Sequence, residues 1–289
     1  MDDRVAVDID RILVPLDGHE AAASALDHAI TLAEIVDAGI HLLSVVDAYR
    51  LKSVDQRRSI EAELEDVVAD AAAKVQTAEI PVTTAVEGGF PHKEILNAVA
   101  DHDADLIAMG THGRTGLDRH LLGSVAEKVV RLSPVPVLTV GDDAVGTRPY
   151  RNILVPTDGS DAAQPAERLG IALAGRFGAT VHALSVVPEL RIGSRETEDA
   201  YETASRDAIE RMKAHGGEDT DIRGGIEHGV PHRTILDHCD AVDADLIVLG
   251  THGRTGVERF VLGSVAEKVV RLAERPVLVV PVRGGAGTD

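Results

Sequence analysis

The sequence predicts an α/β protein of two tandem, doubly wound domains, each a parallel sheet of five strands covered by helices on both faces. Three observations lead there. Short β-branched, apolar runs alternate with helical stretches along the whole chain. Runs such as 105–109 (DLIAM) and 245–249 (DLIVL) are apolar almost throughout, as strands buried on both faces are. The second half also repeats the first: residues 110–132 and 250–272 agree at 19 of 23 positions at an offset of 140.

Taken in order, the first copy reads as a strand at 11–16, a helix at 19–37 rich in Ala and Leu, and a strand at 39–46. A helix at 54–77, a strand at 81–86, a helix at 91–101 and a strand at 104–109 follow. A helix at 123–132 and a strand at 136–140 close the copy. The second copy reads the same way: 151–156, 160–177, 179–187, 195–215, 222–227, 231–241, 244–249, 263–273 and 276–281. Right-handed crossovers turn such alternation into an open doubly wound sheet. Ligands of these sheets sit at the carboxyl ends of the strands, where strand order reverses.

Smaller repeats support the same division. RILVPLDG at 11–18 matches NILVPTDG at 152–159, FPH at 90–92 matches VPH at 230–232, and DADLI at 103–107 recurs at 243–247. Residues 141–150, GDDAVGTRPY, read as a linker between a first domain at 1–140 and a second at 151–289. The last seven residues, RGGAGTD, have the composition of a frayed end.

Composition narrows the function. Hydrophobic residues at 44% suffice for two packed cores, yet no apolar run approaches the roughly 20 residues of a membrane helix. Met1–Asp10 carries four Asp and no apolar stretch, so no secretory signal is expected and the cytoplasm is the expected compartment. A net charge of −19 argues against nucleic acid and anionic membranes as partners. Only 6 of the 29 basic residues are Lys, and Trp is absent; the composition resembles proteins of a salt-rich cytoplasm, where counterions screen carboxylate repulsion. The single cysteine, Cys239, rules out an intrachain disulfide and a Cys-based zinc site, and is expected to be buried on a helix. No HExxH or comparable metal spacing appears.

The chemistry is expected in the loop after the fourth strand of each copy. Gly110 and Gly113 precede Gly123-Ser124 and a helix; Gly250, Gly253, Gly263 and Ser264 repeat the spacing. Glycines let the backbone approach a ligand. A helix start at Gly123, Ser124 and Val125 offers free N–H donors and a dipole that attract phosphate. Arg114 and Arg254 add positive charge. Ser124…Glu127 and Ser264…Glu267 also fit capping boxes, which need no ligand but can coexist with one. The 13-residue glycine-rich loop is nearly unchanged between copies, whereas the helices at 54–77 and 195–215 diverge freely. His112 and His252 have no nucleophile or third group spaced with them and read as loop-shaping or as a minor phosphate contact rather than as a general base; His92 and His232, after Pro at a helix start, read as structural.

This pattern, G-x2-G-x9-G-S/T met twice, resembles the ATP-binding branch of the universal stress protein family, and the likeness covers nearly the whole chain. The resemblance implies a five-stranded parallel α/β fold. It also implies that the copies pair through their last strands, 136–140 and 276–280, as an internal pseudo-dimer, with a homodimer of chains also in view. It places phosphates near Gly110, Gly113, Gly123, Ser124 and Val125, at the end of the strand carrying Met109. The adenosine side falls near Pro15, Leu16, Asp17 and the Val45 backbone. In the second copy the phosphate residues are Gly250, Gly253, Gly263, Ser264 and Val265, after Leu249, with Pro156, Thr157, Asp158 and Val186 for adenosine. Leu16 departs from the family's commoner Thr, which Thr157 keeps, so a side-chain hydrogen bond is expected at the second site and not at the first. For Asp17 and Asp158, a ribose or metal-linked contact competes with a turn role, since Asp-Gly favours turns.

The chain has no GxxxxGK(S/T), so the lysine that neutralises a transferred phosphate is missing. The expected function is ATP (or ADP or AMP) binding, with Mg2+ bridging the phosphates, as a nucleotide-dependent stress-response or regulatory switch with little or no hydrolysis. A weak ATPase or adenylate-transferring enzyme, and a structural interaction protein with degenerate sites, are the alternatives. Both sites are expected to bind, the second slightly more tightly.

Overall fold

The structure is a computed structural model, and it describes residues 8–47, 53–111, 122–141, 150–188, 195–217, 220–251 and 262–282. The chain divides into two compact units, one of Asp8–Thr147 and one beginning at Arg148. The first contains β1 (Arg11–Leu16), α1 (Glu20–Val36), β2 (Gly39–Val46), α2 (Val54–Thr77), β3 (Val82–Gly88), α3 (Pro91–Asp101), β4 (Leu106–Gly110), α4 (Ser124–Leu132) and β5 (Val137–Val140). The second contains β6 (Asn152–Thr157), α5 (Gln164–Phe177), β7 (Thr180–Pro188), α6 (Arg195–Gly216), β8 (Ile222–Gly229), α7 (Pro231–Ala241), β9 (Leu246–Gly250), α8 (Ser264–Leu272) and β10 (Val277–Val280).

Within the first unit the strand order is β3-β2-β1-β4-β5; within the second, β8-β7-β6-β9-β10. Every pairing inside each unit is parallel. The chain walks outward from β1 to β3, then returns past β1 to β4. Right-handed crossovers therefore place α1 and α2 on one face and α3 and α4 on the other, and these are the helix pairs that touch. Strand residues Ile12, Leu13, Val14, Leu42, Leu106 and Ile107 are fully buried between the helix layers. Cys239 is buried on α7, and burial pushes its thiol up to about 12. Among the described residues, no helix is long and apolar enough to cross a membrane.

Among the boundaries that differ from the sequence expectation, three have a local reason. Helix α5 starts at Gln164 rather than near residue 160. Pro165 lacks an N–H and sits in the first turn, where none is needed; Asp158 Oδ1 holds the preceding turn by accepting from Ser160 N–H at 3.0 Å. Strands β4 and β9 begin two residues late because Asp103 and Asp243 adopt left-handed φ of 49° and 47°. The next carboxylates then act as clamps. Asp105 Oδ2 accepts from the Asp10 and Arg11 amides at 2.9 and 3.1 Å, and Asp245 Oδ2 from those of Arg151 and Asn152 at 2.7 and 2.9 Å. The repeated DADLI is thus a device that ties the start of β4 or β9 to the start of the neighbouring strand.

Near the amino ends of the first sheet's strands, His41 lies only 2% exposed. Its ring stacks on His102 at 3.8 Å between centroids, and its Nδ1 meets Thr83 Oγ1 at 2.8 Å. Burial first, then His102 and Arg11, hold its pKa down at about 4. The unfolded chain, with an ordinary imidazole near 6.5, binds the proton more readily, so stability is full above about pH 6.5 and falls as pH drops towards 4. Urea unfolding of His41→Gln is expected to show a shallower loss of stability between pH 6.5 and 5 than the wild type. Equal slopes would mean that another group controls this window.

Candidate functional site

The reversal of strand order opens a crevice at the carboxyl ends of β6, β7 and β9. It holds a cavity of about 300 Å³, at the small end of the roughly 300–1,000 Å³ typical of ligand pockets. Pro156, Thr157 and Asp158 come from the end of β6, Val186 from β7, and Leu249 and Gly250 from β9. Gly263, Ser264 and Val265 come from the start of α8. These nine sequence-expected residues line one space; the tenth, Gly253, lies outside the described residues. The lining also includes residues that carried no recognisable signal: Leu184 and Ser185 on β7, Tyr201 and Ser205 on α6, and Pro231 and Ile235 on α7. Helix α6 diverges from its counterpart α2, so repeat comparison could not single out Tyr201 or Ser205.

The first unit puts the equivalent residues at the equivalent strand ends. Leu16 closes β1, Val45 lies near the end of β2, Met109 and Gly110 end β4, and Gly123, Ser124 and Val125 open α4. Pro15 and Asp17 flank Leu16 and are half-buried. Gly113, His112, His252, Arg114 and Arg254 lie outside the described residues. Gly110 has a packing reason to be glycine: a Cβ there would stand 2.8 Å from the Ala21 carbonyl carbon and 2.9 Å from the Ala22 nitrogen. Its bare backbone lets α1 sit against the end of β4.

At the helix starts, two expectations need correction. The capping boxes do not form. Gly123 and Gly263 are the N-caps, with extended ψ of 142° and no side-chain cap, and their carbonyls accept from Glu127 and Glu267 N–H at 2.9 Å. Each helix therefore begins one residue too early: the serine is the first helical residue, and the glutamate lies beyond the position from which it reaches back. Nor is the Gly123 or Gly263 amide an outward donor. Each donates to the carbonyl of Thr111 or Thr251 at 2.8 Å, and the Thr111 and Thr251 amides in turn donate to Val140 and Val280 at 2.9 and 3.0 Å. The first-turn donors are instead the amides of Ser124, Val125 and Ala126, and of Ser264, Val265 and Ala266, which have no partner within the helix. All three of the latter residues line the cavity.

The Asp-Gly turns are alike in the two units. Gly18 and Gly159 take left-handed φ of 82° and 77°. Asp17 Oδ1 accepts from His19 N–H at 3.1 Å, as Asp158 Oδ1 does from Ser160. Both aspartates therefore serve the turn, as Asp-Gly sequences do. His92 and His232 open α3 and α7 next to Pro91 and Pro231. Burial first, and then Lys128 or Lys268, lowers their pKa values.

Beneath the second site the units differ. The Thr157 hydroxyl donates to Glu167 Oε1 at 2.6 Å and accepts from Gly159 N–H at 3.0 Å. Glu167 is buried and takes Arg211 Nη2 on both carboxylate oxygens at 3.0 and 3.1 Å. The extra hydrogen bond expected of Thr157 thus runs into the protein floor rather than towards the cavity. In the first unit the same positions are Leu16 and Leu26, both buried. Removing one partner of a buried pair leaves the other without compensation. Glu167→Leu is therefore expected to cost about 2–4 kcal/mol in urea unfolding of the full chain. Adding Thr157→Leu, which rebuilds the apolar floor of the first unit, is expected to recover part of that loss; additive losses would contradict the coupling.

The universal stress protein family model matches residues 8–141 and again 149–281. A universal stress protein of Methanocaldococcus jannaschii is 38% identical over 143 residues, covering 47% of this chain and 84% of that protein. One of Mycolicibacterium smegmatis is 28% identical over 274 residues, covering 90% of each. A crystal structure of a universal stress protein from Archaeoglobus fulgidus superimposes with a TM-score of 0.77 at 28% identity, covering 95% of this chain and 98% of that one.

Proposed function

Since the chain belongs to the universal stress protein family, we propose that each unit binds an adenine nucleotide at the carboxyl edge of its sheet. The protein acts as a nucleotide-dependent switch with little or no hydrolysis. One observation carries this reading: the second-unit cavity gathers nine residues that the family resemblance marks and ends on the uncapped first turn of α8. Three unpaired amides at the positive end of a helix dipole form a ready anion site. In a protein of net charge −19, such a local positive field offsets repulsion of a polyphosphate. The ATP-sized ligand spans from α8 across β9 and β6 to β7, with Mg2+ bridging its phosphates. Lacking a GxxxxGK(S/T) lysine, the site holds phosphates without an evident group to neutralise a transferred one.

The test is calorimetric titration of the full chain with ATP and Mg2+ in high salt, with phosphate release followed alongside. Two binding events per chain without appreciable turnover are expected. Ser124→Glu and Ser264→Glu separate the sites. Both serines are exposed first-turn residues, where a carboxylate suits the helix dipole but repels phosphate. Each variant is expected to weaken one event by about a hundredfold or more, from a like-charge contact worth about 4 kcal/mol near a protein surface. Neither should lose thermal stability. Retention of both events in the double variant would mean that the nucleotide does not sit at the helix starts.

A further inference from the structure

The α6 wall of the second-unit cavity differs from the equivalent positions of α2 in the first unit. An offset of 141 aligns Ser44 on β2 with Ser185 on β7, and the buried Val68 and Ala71 on α2 with Ile209 and Met212 on α6. The same offset aligns Leu64 with Ser205 and Ile60 with Tyr201. Leu64 is 3% exposed and Ser205 is 2% exposed, so an apolar side chain in one unit is replaced by an equally buried hydroxyl in the other. The serine on the strand responds. Ser44 Oγ donates to the Leu16 carbonyl at 2.8 Å, whereas Ser185 Oγ is bonded to Ser205 Oγ at 2.8 Å.

Two hydroxyls that share one hydrogen bond use only one of their two hydrogens. Ser185 spends its hydrogen on Ser205, and the Ser205 hydroxyl has no acceptor of its own among the described residues. Both residues line the cavity, with Tyr201 one helical turn away on the same wall. A buried hydroxyl hydrogen left without an acceptor is costly, and a ligand that accepts it gains that cost back.

Strand order says which part of a ligand arrives there. β7 lies two strands from β9, or about 10 Å at the usual strand spacing. With phosphates at the start of α8, the far end of a nucleotide, its base, meets β7 and α6. We propose that Ser205 makes the second site read the hydrogen-bonding edge of the base, through an acceptor such as a purine ring nitrogen. The first site, walled by Leu64, reads the base by shape. This rests on the nucleotide reading above and adds base selectivity that differs between the units.

The test uses full-length Ser124→Glu, which keeps the second site, and Ser264→Glu, which keeps the first. Each is titrated with ATP and with benzimidazole riboside triphosphate, which keeps the two-ring shape but lacks the six-membered ring nitrogens and the amino group. The preference for ATP is expected to be about tenfold larger at the second site, the size of one hydrogen bond to an otherwise unsatisfied buried group. Adding Ser205→Ala to Ser124→Glu is expected to reduce the preference to that of the first site while leaving analogue binding unchanged. Adding Leu64→Ser to Ser264→Glu is expected to raise it, which supplies an independent check if the alanine variant packs poorly. Equal preferences at the two sites, or a Ser205→Ala effect of the same size on ATP and analogue, would overturn the role of Ser205 while leaving nucleotide binding intact. Absence of any triphosphate binding in the wild type would overturn the nucleotide reading itself, and this inference with it.

Discussion

Parallel strands are joined only by crossovers, and crossovers of one hand. That constraint organises each unit of this protein. After three strands laid down in one direction, the chain must return past the first to place the fourth, and the return leaves a crevice at the carboxyl edge between β1 and β4 or β6 and β9. The Asp105 and Asp245 carboxylates fix the far end of the same junction by binding the amides that start β1 and β6. At the near end, the Gly123 and Gly263 amides bond the Thr111 and Thr251 carbonyls, which sets the first turn of α4 or α8 beside the strand ends. The β6, β9 and α8 residues of the candidate site are positioned by these ties; α6 and α7 supply the rest of its wall.

What remains uncapped at this junction gives it chemical character. A glycine N-cap has no side chain to satisfy the first turn, so the amides of Ser124 to Ala126 and Ser264 to Ala266 keep their affinity for an anion. Glycine at 110 serves a different purpose, admitting the backbone of α1. The motif therefore combines a packing glycine with helix-start glycines, and reading every glycine as a ligand contact would merge two separate physical demands.

The units share this frame but not their floors and walls. Leu16, Leu26 and Leu64 line the first unit where Thr157, Glu167 and Ser205 stand in the second. A polar group buried this deeply is tolerated only with partners. Thr157 has Glu167, Glu167 has Arg211, and Ser205 has Ser185. The two units thus share the uncapped helix start and differ in the residues beneath and beside it.

The sequence by itself determined the fold class, the two-copy organisation and most of the strands and helices. Period-2 and period-3.6 patterns reflect burial within each local element, and α2, α3 and α7 match their expected ranges to the residue. The doubly wound order also pointed to the carboxyl ends of the strands, and the repeated glycine spacing to the loop after the fourth strand of each copy. Only the tertiary structure decided the rest. The N-cap at Gly123 rather than Ser124, the diversion of the Gly123 amide to Thr111, and the commitment of Thr157 to Glu167 all depend on atoms distant in sequence. So does the entry of Ser205 and Tyr201 into the cavity wall: α6 is amphipathic by pattern, but which of its residues face a ligand space and which face the core is set by the strands against which it packs.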